Sequence, residues 1–156
     1  ASSQSNRLDD FVGSGTCSGN VMAMGKDSGH ATTGKYSGEK VLGGNWVVIH
    51  YDEDQTSVNP KPFHVAQYFG YDAAKKRYVS VTFDNSGAGS GYSTGTSSGW
   101  KDDSLTLDNT ASMGGRTVAG RDVFTKSDSG MSGHTGMMRD KNGKWAKTDE
   151  ETCHKA

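Results

Sequence analysis

Polar and apolar residues alternate along this chain in short runs, and glycine-rich turns separate the runs. The clearest unit is FHVAQYFGYDAAKKRYVSVTFDNS, residues 63–86, which reads as strand, turn, strand. Further strands are predicted over 16–24, 30–37, 46–52, 89–100, 117–126, 131–139 and 144–152, with one more around Leu105 and Leu107. DKNG, residues 140–143, contains Asn-Gly, a strong hairpin signal. Both prolines fall in the long polar loop at 52–62, where they interrupt no ladder. No segment sustains a helical apolar period; LDDFVG, residues 8–13, predicts one helical turn with Leu8, Phe11 and Val12 on one side. Residues 1–7 are expected to be disordered, and residues 8–156 to form one domain.

Strand parity sorts the faces. Phe63, Val65, Gln67, Phe69 and Tyr71 share one face, as do Leu105 and Leu107. Val79, Val81 and Phe83 share a face that is taken as inward. Strand 46–52 leaves two choices open, Val47, Ile49 and Tyr51 or Trp46, Val48 and His50. The odd positions 91–99 are glycine and serine, which mark a bend or leave room for a bulky neighbour.

Sequential hairpins favour an all-β, antiparallel up-and-down barrel of about ten strands over a Greek-key sandwich, the runner-up. In a closed barrel the first and last strands meet. Cys17 lies in the first and Cys153 in the last, so a Cys17–Cys153 disulfide pins the seam. Closing so long a loop stabilises by about 4–5 kcal/mol in the chain-entropy model.

Composition agrees with this picture. The hydrophobic fraction is only 31%, but net charge is −1 and the 22 glycines are spread through the chain, which fits short strands and many turns better than disorder. Charge so close to zero offers nucleic acid or an anionic membrane no attractive field, and no apolar run is long enough for a membrane helix. The cysteines form no C-x-x-C pair, which argues against zinc or redox chemistry and for an oxidising compartment. With the small residues after Ala1, this reads as a mature secreted or periplasmic protein. A closed barrel lacks free edges, so self-association would use its outer faces.

YFGYDAAKKRYVSVTFDNS, GGNWVVIHY, RDVFTK and GKWAKTDEETC, taken in order and spacing, resemble the bacterial domain-of-unknown-function family 1579. The resemblance spans Leu8 to Cys153 and implies a lipocalin-like calycin barrel with no established activity. In FVGSGTCSG, Gly15 stands where that family's G-x-W tryptophan is expected, which leaves one end of the barrel open or filled by another side chain.

Candidate chemistry is sparse. Gln67 is the polar exception on an apolar face, and with Trp46 and His134 it forms the expected lining of a ligand cavity. Met22 and Met24, with Met131, His134, Met137 and Met138, offer soft groups for copper, and His134 offers an axial ligand for haem. Methionine is also a flexible core filler, and the neighbours of His134 show no apolar slot. The acidic runs at 52–54 and 102–103 fall in turns, while Glu150 and Glu151 point to opposite faces, against a paired-carboxylate site. No G-x-S-x-G elbow, P-loop or dinucleotide fingerprint occurs. A binding protein for a small hydrophobic or amphipathic molecule, with no cofactor and no assigned metal ligand, is therefore favoured. A small cavity enzyme of isomerase or cyclase type, or a haem- or copper-binding barrel, is the alternative.

Overall fold

The computed structural model of the protein describes residues 4–156. Among them the strands are β1 (Gly13–Val21), β2 (His30–Val41), β3 (Trp46–Glu53), β4 (His64–Asp72), β5 (Arg77–Asp84) and β6 (Tyr92–Ser97), followed by β7 (Trp100–Lys101), β8 (Ser104–Met113), β9 (Arg116–Ser127), β10 (Gly130–Arg139) and β11 (Trp145–Lys155). Successive strands pair antiparallel, and β1 closes on β11. β7 continues β6 along the same side of β8, past a break at Gly99 that its φ of 121° permits. The result is a closed ten-strand antiparallel barrel. At the seam Cys17 lies directly opposite Cys153, and the two form the expected disulfide with their Cα atoms 4.1 Å apart. Among the described residues no helix is long and apolar enough to cross a membrane.

One end of the barrel, the base, is solid. A 3-10 helix, Gln4–Phe11, enters from below. It begins before the expected turn at 8–13 and so overlaps the expected disordered segment over residues 4–7; residues 1–3 lie outside the described residues. Leu8 and Phe11 are buried, whereas Val12 is 40% exposed and does not share their side as predicted. Phe11 stacks on Phe69 with ring centroids 4.5 Å apart and meets the edge of Phe124 at 5.6 Å. Tyr36, Val47, Tyr78, Trp100, Leu105, Leu107 and Met131 complete the cluster. Burying one such aromatic ring contributes about 2–3 kcal/mol. From outside, Lys40 pairs with Asp9 at 2.7 Å, and the Arg7 guanidinium lies 4.6 Å over the Trp100 ring.

The glycine in place of the expected tryptophan does not open this end. A Cβ at Gly15 would stand 2.6 Å from Tyr36 Cε1 and collide with the His154 carbonyl oxygen. The Tyr36 ring occupies the space instead.

Parity holds for most strands. Val47, Ile49 and Tyr51 face inward, which settles β3, as do Phe69, Gln67, Leu105 and Leu107. On β5 the expectation is reversed. Tyr78, Ser80 and Thr82 face inward, while Val79, Val81 and Phe83 lie outside. Their outer face carries an aromatic row, with Tyr68 edge-on to Phe83 at 6.3 Å and Phe83 against Tyr92 at 5.7 Å. That row gives apolar side chains an outer environment that alternation alone does not distinguish from a core. β1 also ends at Val21, short of Met24, which makes only an isolated bridge to Asp27.

Candidate functional site

Above the packed base the barrel is hollow. A cavity of about 460 Å³ occupies this half. It falls within the ~300–1,000 Å³ of small-molecule sites. Its wall is largely apolar, with Val21, Ile49, Phe63, Val65, Ala111 and Met138 among its residues. The long polar loop folds beside the mouth, where Glu53 Oε2 accepts from Asn59 Nδ2 at 2.7 Å and from the Phe63 backbone N–H at 2.9 Å.

The polar groups gather around one histidine. His134 on β10 packs against Phe124 at the top of the solid core, ring centroids 4.9 Å apart. Its Nε2 lies 2.8 Å from Asp122 Oδ1 on β9. Its Nδ1 faces two carboxylates of β11, Glu151 Oε2 at 2.9 Å and Asp149 Oδ2 at 3.2 Å. Strand parity carries Asp149, Glu151 and Cys153 to the same inner face. Gly136 makes room for one of them, since a Cβ there would collide with Asp149 Oδ1 and lie 2.8 Å from Thr148 Oγ1. A β-bulge beside Gly136 and Met137 adjusts the register at that point.

The carboxylates differ in support. Asp122 also receives Asn109 Nδ2 at 2.6 Å and Gln67 Nε2 at 3.4 Å. Asp149 receives Thr148 Oγ1 at 2.7 Å, and Glu151 is paired with the His134 nitrogen and with the Asp149 carboxyl itself. Burial and then the Asp149 charge push the Glu151 carboxyl up to about 7, against the pull of His134. Burial opposes the imidazolium of His134, but its bonds to Asp122, Asp149 and Glu151 prevail and raise it well above the ordinary value. Burial also works against ionised Asp149, yet the hydrogen bond and charge of His134 hold its carboxyl below the usual range.

Residues 1–155 match the family described as "Protein of unknown function (DUF1579)". The chain belongs to that family. The crystal structure of Rv2717c from M. tuberculosis is similar to it, with a TM-score of 0.74 and 11% identity over 99% of this chain and 98% of that one. At that identity the likeness shows the fold. No curated protein matches the chain. The DUF1579 description assigns no activity, so the chemistry rests on the cavity itself.

Two of the three expected lining residues meet there: Gln67 and His134 join through Asp122. Trp46 does not. It lies on the outer face of β3 with its ring over Gly70, where a Cβ would stand 3.0 Å from Trp46 Cε3. Asp122 was missing from the sequence reading, and the acidic run 149–151 was set aside because Glu150 and Glu151 point to opposite faces, whereas Asp149 and Glu151 share the inner one. The i, i+2 spacing of Asp149, Glu151 and Cys153 was the available signal, since an inward cysteine carries both acids inward. The geometry fits the haem and copper alternatives poorly. Carboxylates stand 2.9 and 2.8 Å from Nδ1 and Nε2 of His134, on the lines along which a haem iron would approach, and a porphyrin plane cannot pass them as a small ion can. The methionines are spread from Met131 in the base to Met24 beyond the end of β1, and carboxylates are hard ligands for copper(I).

Proposed function

We propose that this protein is an exported carrier or sensor whose barrel binds a small amphipathic molecule. The observation that supports the reading is the hollow half of the barrel, with its apolar wall over a polar floor at Gln67, Asn109, Asp122 and His134. An apolar body fits the wall, and a hydrogen-bonding head reaches the floor. Export is supported by the disulfide, a bond that persists in oxidising compartments. Native mass spectrometry of protein purified from its own host, followed by solvent extraction, tests the reading. The expected result is a bound small molecule that is lost when Val65→Trp fills the upper cavity. A protein that leaves its host empty, and binds no fluorescent amphipathic probe, overturns it.

A cavity enzyme of isomerase or cyclase type is a second reading. It is favoured by an acid and a base, the His134 imidazolium and the Glu151 carboxylate, facing the lumen 2.9 Å apart. It predicts a ligand that is converted by the wild type but bound unchanged by Glu151→Gln.

A further inference from the structure

His134 sits among three carboxylates. With all of them ionised and the imidazole protonated, the cluster carries a net charge of about −2, a costly excess in a half-buried site. Two cationic residues, Arg121 and Lys61, line the cavity, but neither is paired with the cluster, and Arg121 is engaged with Asp108 at 2.7 Å and over the Trp145 ring at 4.3 Å. Donors are unevenly shared. Asp122 is well supplied, while Asp149 and Glu151 compete for the single Nδ1 of His134. The Glu151 side chain is only 6% exposed, and besides the His134 nitrogen its side-chain partner is the Asp149 carboxyl, a pair of acids that can bond only through a shared proton. A buried carboxylate so poorly supplied calls for a cation in the place of the shared proton.

We infer that His134 Nδ1, Asp149 and Glu151 form a binding site for one divalent first-row transition-metal ion of the zinc and manganese class, with Asp122 orienting the imidazole. The three donor atoms lie within 4.8 Å of one another. Nδ1 is already 2.9 and 3.2 Å from the two carboxylates. Two ligands about 2.0–2.2 Å from one ion stand roughly 3–3.5 Å apart, so small side-chain adjustments complete the site. Binding replaces the Nδ1 proton and leaves Nε2–H on Asp122, the carboxylate–histidine–metal relay that fixes a ligand's tautomer. One imidazole with two carboxylates suits a borderline ion. Copper(I) prefers thiolates and thioethers, while calcium takes six or more oxygens. Three protein ligands leave a coordination position open toward the cavity.

This site stands apart from any organic ligand, because metal is measured on chelator-treated, solvent-extracted protein. Calorimetry with Zn²⁺ is expected to give one equivalent, and Co²⁺ to give visible ligand-field bands. Glu151→Gln and His134→Gln are expected to weaken Zn²⁺ at least 100-fold, and Asp122→Asn about 10–100-fold through loss of the orienting bond. Asp103→Asn, on an exposed turn, keeps wild-type affinity. Thermal melts confirm that each variant is folded, with Asp149→Asn replacing Glu151→Gln if the latter is not. No stoichiometric binding by wild type, or equal affinity in the folded cluster variants, overturns the proposal; an empty metal site leaves the amphipathic-ligand reading standing.

Discussion

The two halves of this barrel are built from the same strands and opposite interiors. In the base, Phe11, Phe69, Phe124 and Tyr78 leave no room; the Tyr36 ring lies against Gly15 and the Phe11 backbone against Gly38. In the upper half, the same strands present Gln67, Asn109, Asp122, His134, Asp149 and Glu151 around open space. His134 stacked against Phe124 marks the boundary. Stability resides below that line and chemistry above it. Substitutions in the base should therefore cost folding free energy, while those above should change charge and binding at little cost.

The largest effect is expected at the seam, where Cys17 and Cys153 touch both the packed core and the cavity wall. Replacing both with serine removes a link across 136 residues. The chain-entropy model puts the loss at about 5 kcal/mol. Urea unfolding of the double variant against wild type measures it. A loss under about 1 kcal/mol would mean that strand pairing alone holds the seam.

Phe11→Ala comes next and tests whether the base is solid. Truncating a buried phenylalanine costs about 3–5 kcal/mol. The N-terminal helix should detach with it, since Phe11 and Leu8 are its buried anchors. Denaturant melts and proteolysis near Arg7 report the two effects. An unchanged midpoint would show that Trp100 and Tyr36 fill the base without Phe11.

A pair of glycines separates the halves more finely. Gly15→Ala meets the His154 backbone and the Tyr36 ring, neither of which can move away cheaply. Overpacking of that kind costs about 1–3 kcal/mol. Gly136→Ala meets the Asp149 carboxylate and the Thr148 hydroxyl, both able to rotate into the cavity. It should cost clearly less, while disturbing the contacts of His134. Equal destabilisation by the two variants would erase the distinction between a filled and a hollow half.

The same contrast explains what was legible in the sequence. The container followed from local signals: period-two alternation, turn glycines, and two cysteines that had to meet. Gln67 and His134 were found because parity or residue type singled them out. The acids of the cluster lie on the strands to either side of His134, Asp122 on β9 and Asp149 and Glu151 on β11. Their meeting depends on register and on a bulge beside Gly136, neither of which a single strand reveals. Trp46 and the valines of β5 misled for a different reason. They are apolar on the outside, Trp46 over Gly70 and the β5 strand beside Tyr68 and Tyr92, so hydrophobicity alone gave the wrong face.

The smallest effect is a slope rather than a loss. In metal-free protein, the raised carboxyl of Glu151, at about 7, and the raised imidazole of His134 both bind protons more tightly folded than unfolded. As pH rises past the ordinary carboxylate range, unfolded Glu151 gives up its proton first, and stability falls until folded Glu151 has also ionised. His134 extends the fall, because its stabilising charge is fully present below about 6.5 and is lost as pH climbs through its raised folded value. Asp149 works the other way, its contribution being lost only as pH drops below the carboxylate range. The melting temperature should therefore decline by several degrees between about pH 5 and 8, on the scale of roughly 2–4 °C per kcal/mol for a chain of this size. Glu151→Gln removes one titrating group and one of the carboxylates that raise His134, so its decline should be at most about half as steep. Because the variant also loses a buried charge, it should match or exceed wild type near pH 8. A wild-type melting temperature that stays level or rises over this range would mean that the groups around His134 titrate independently.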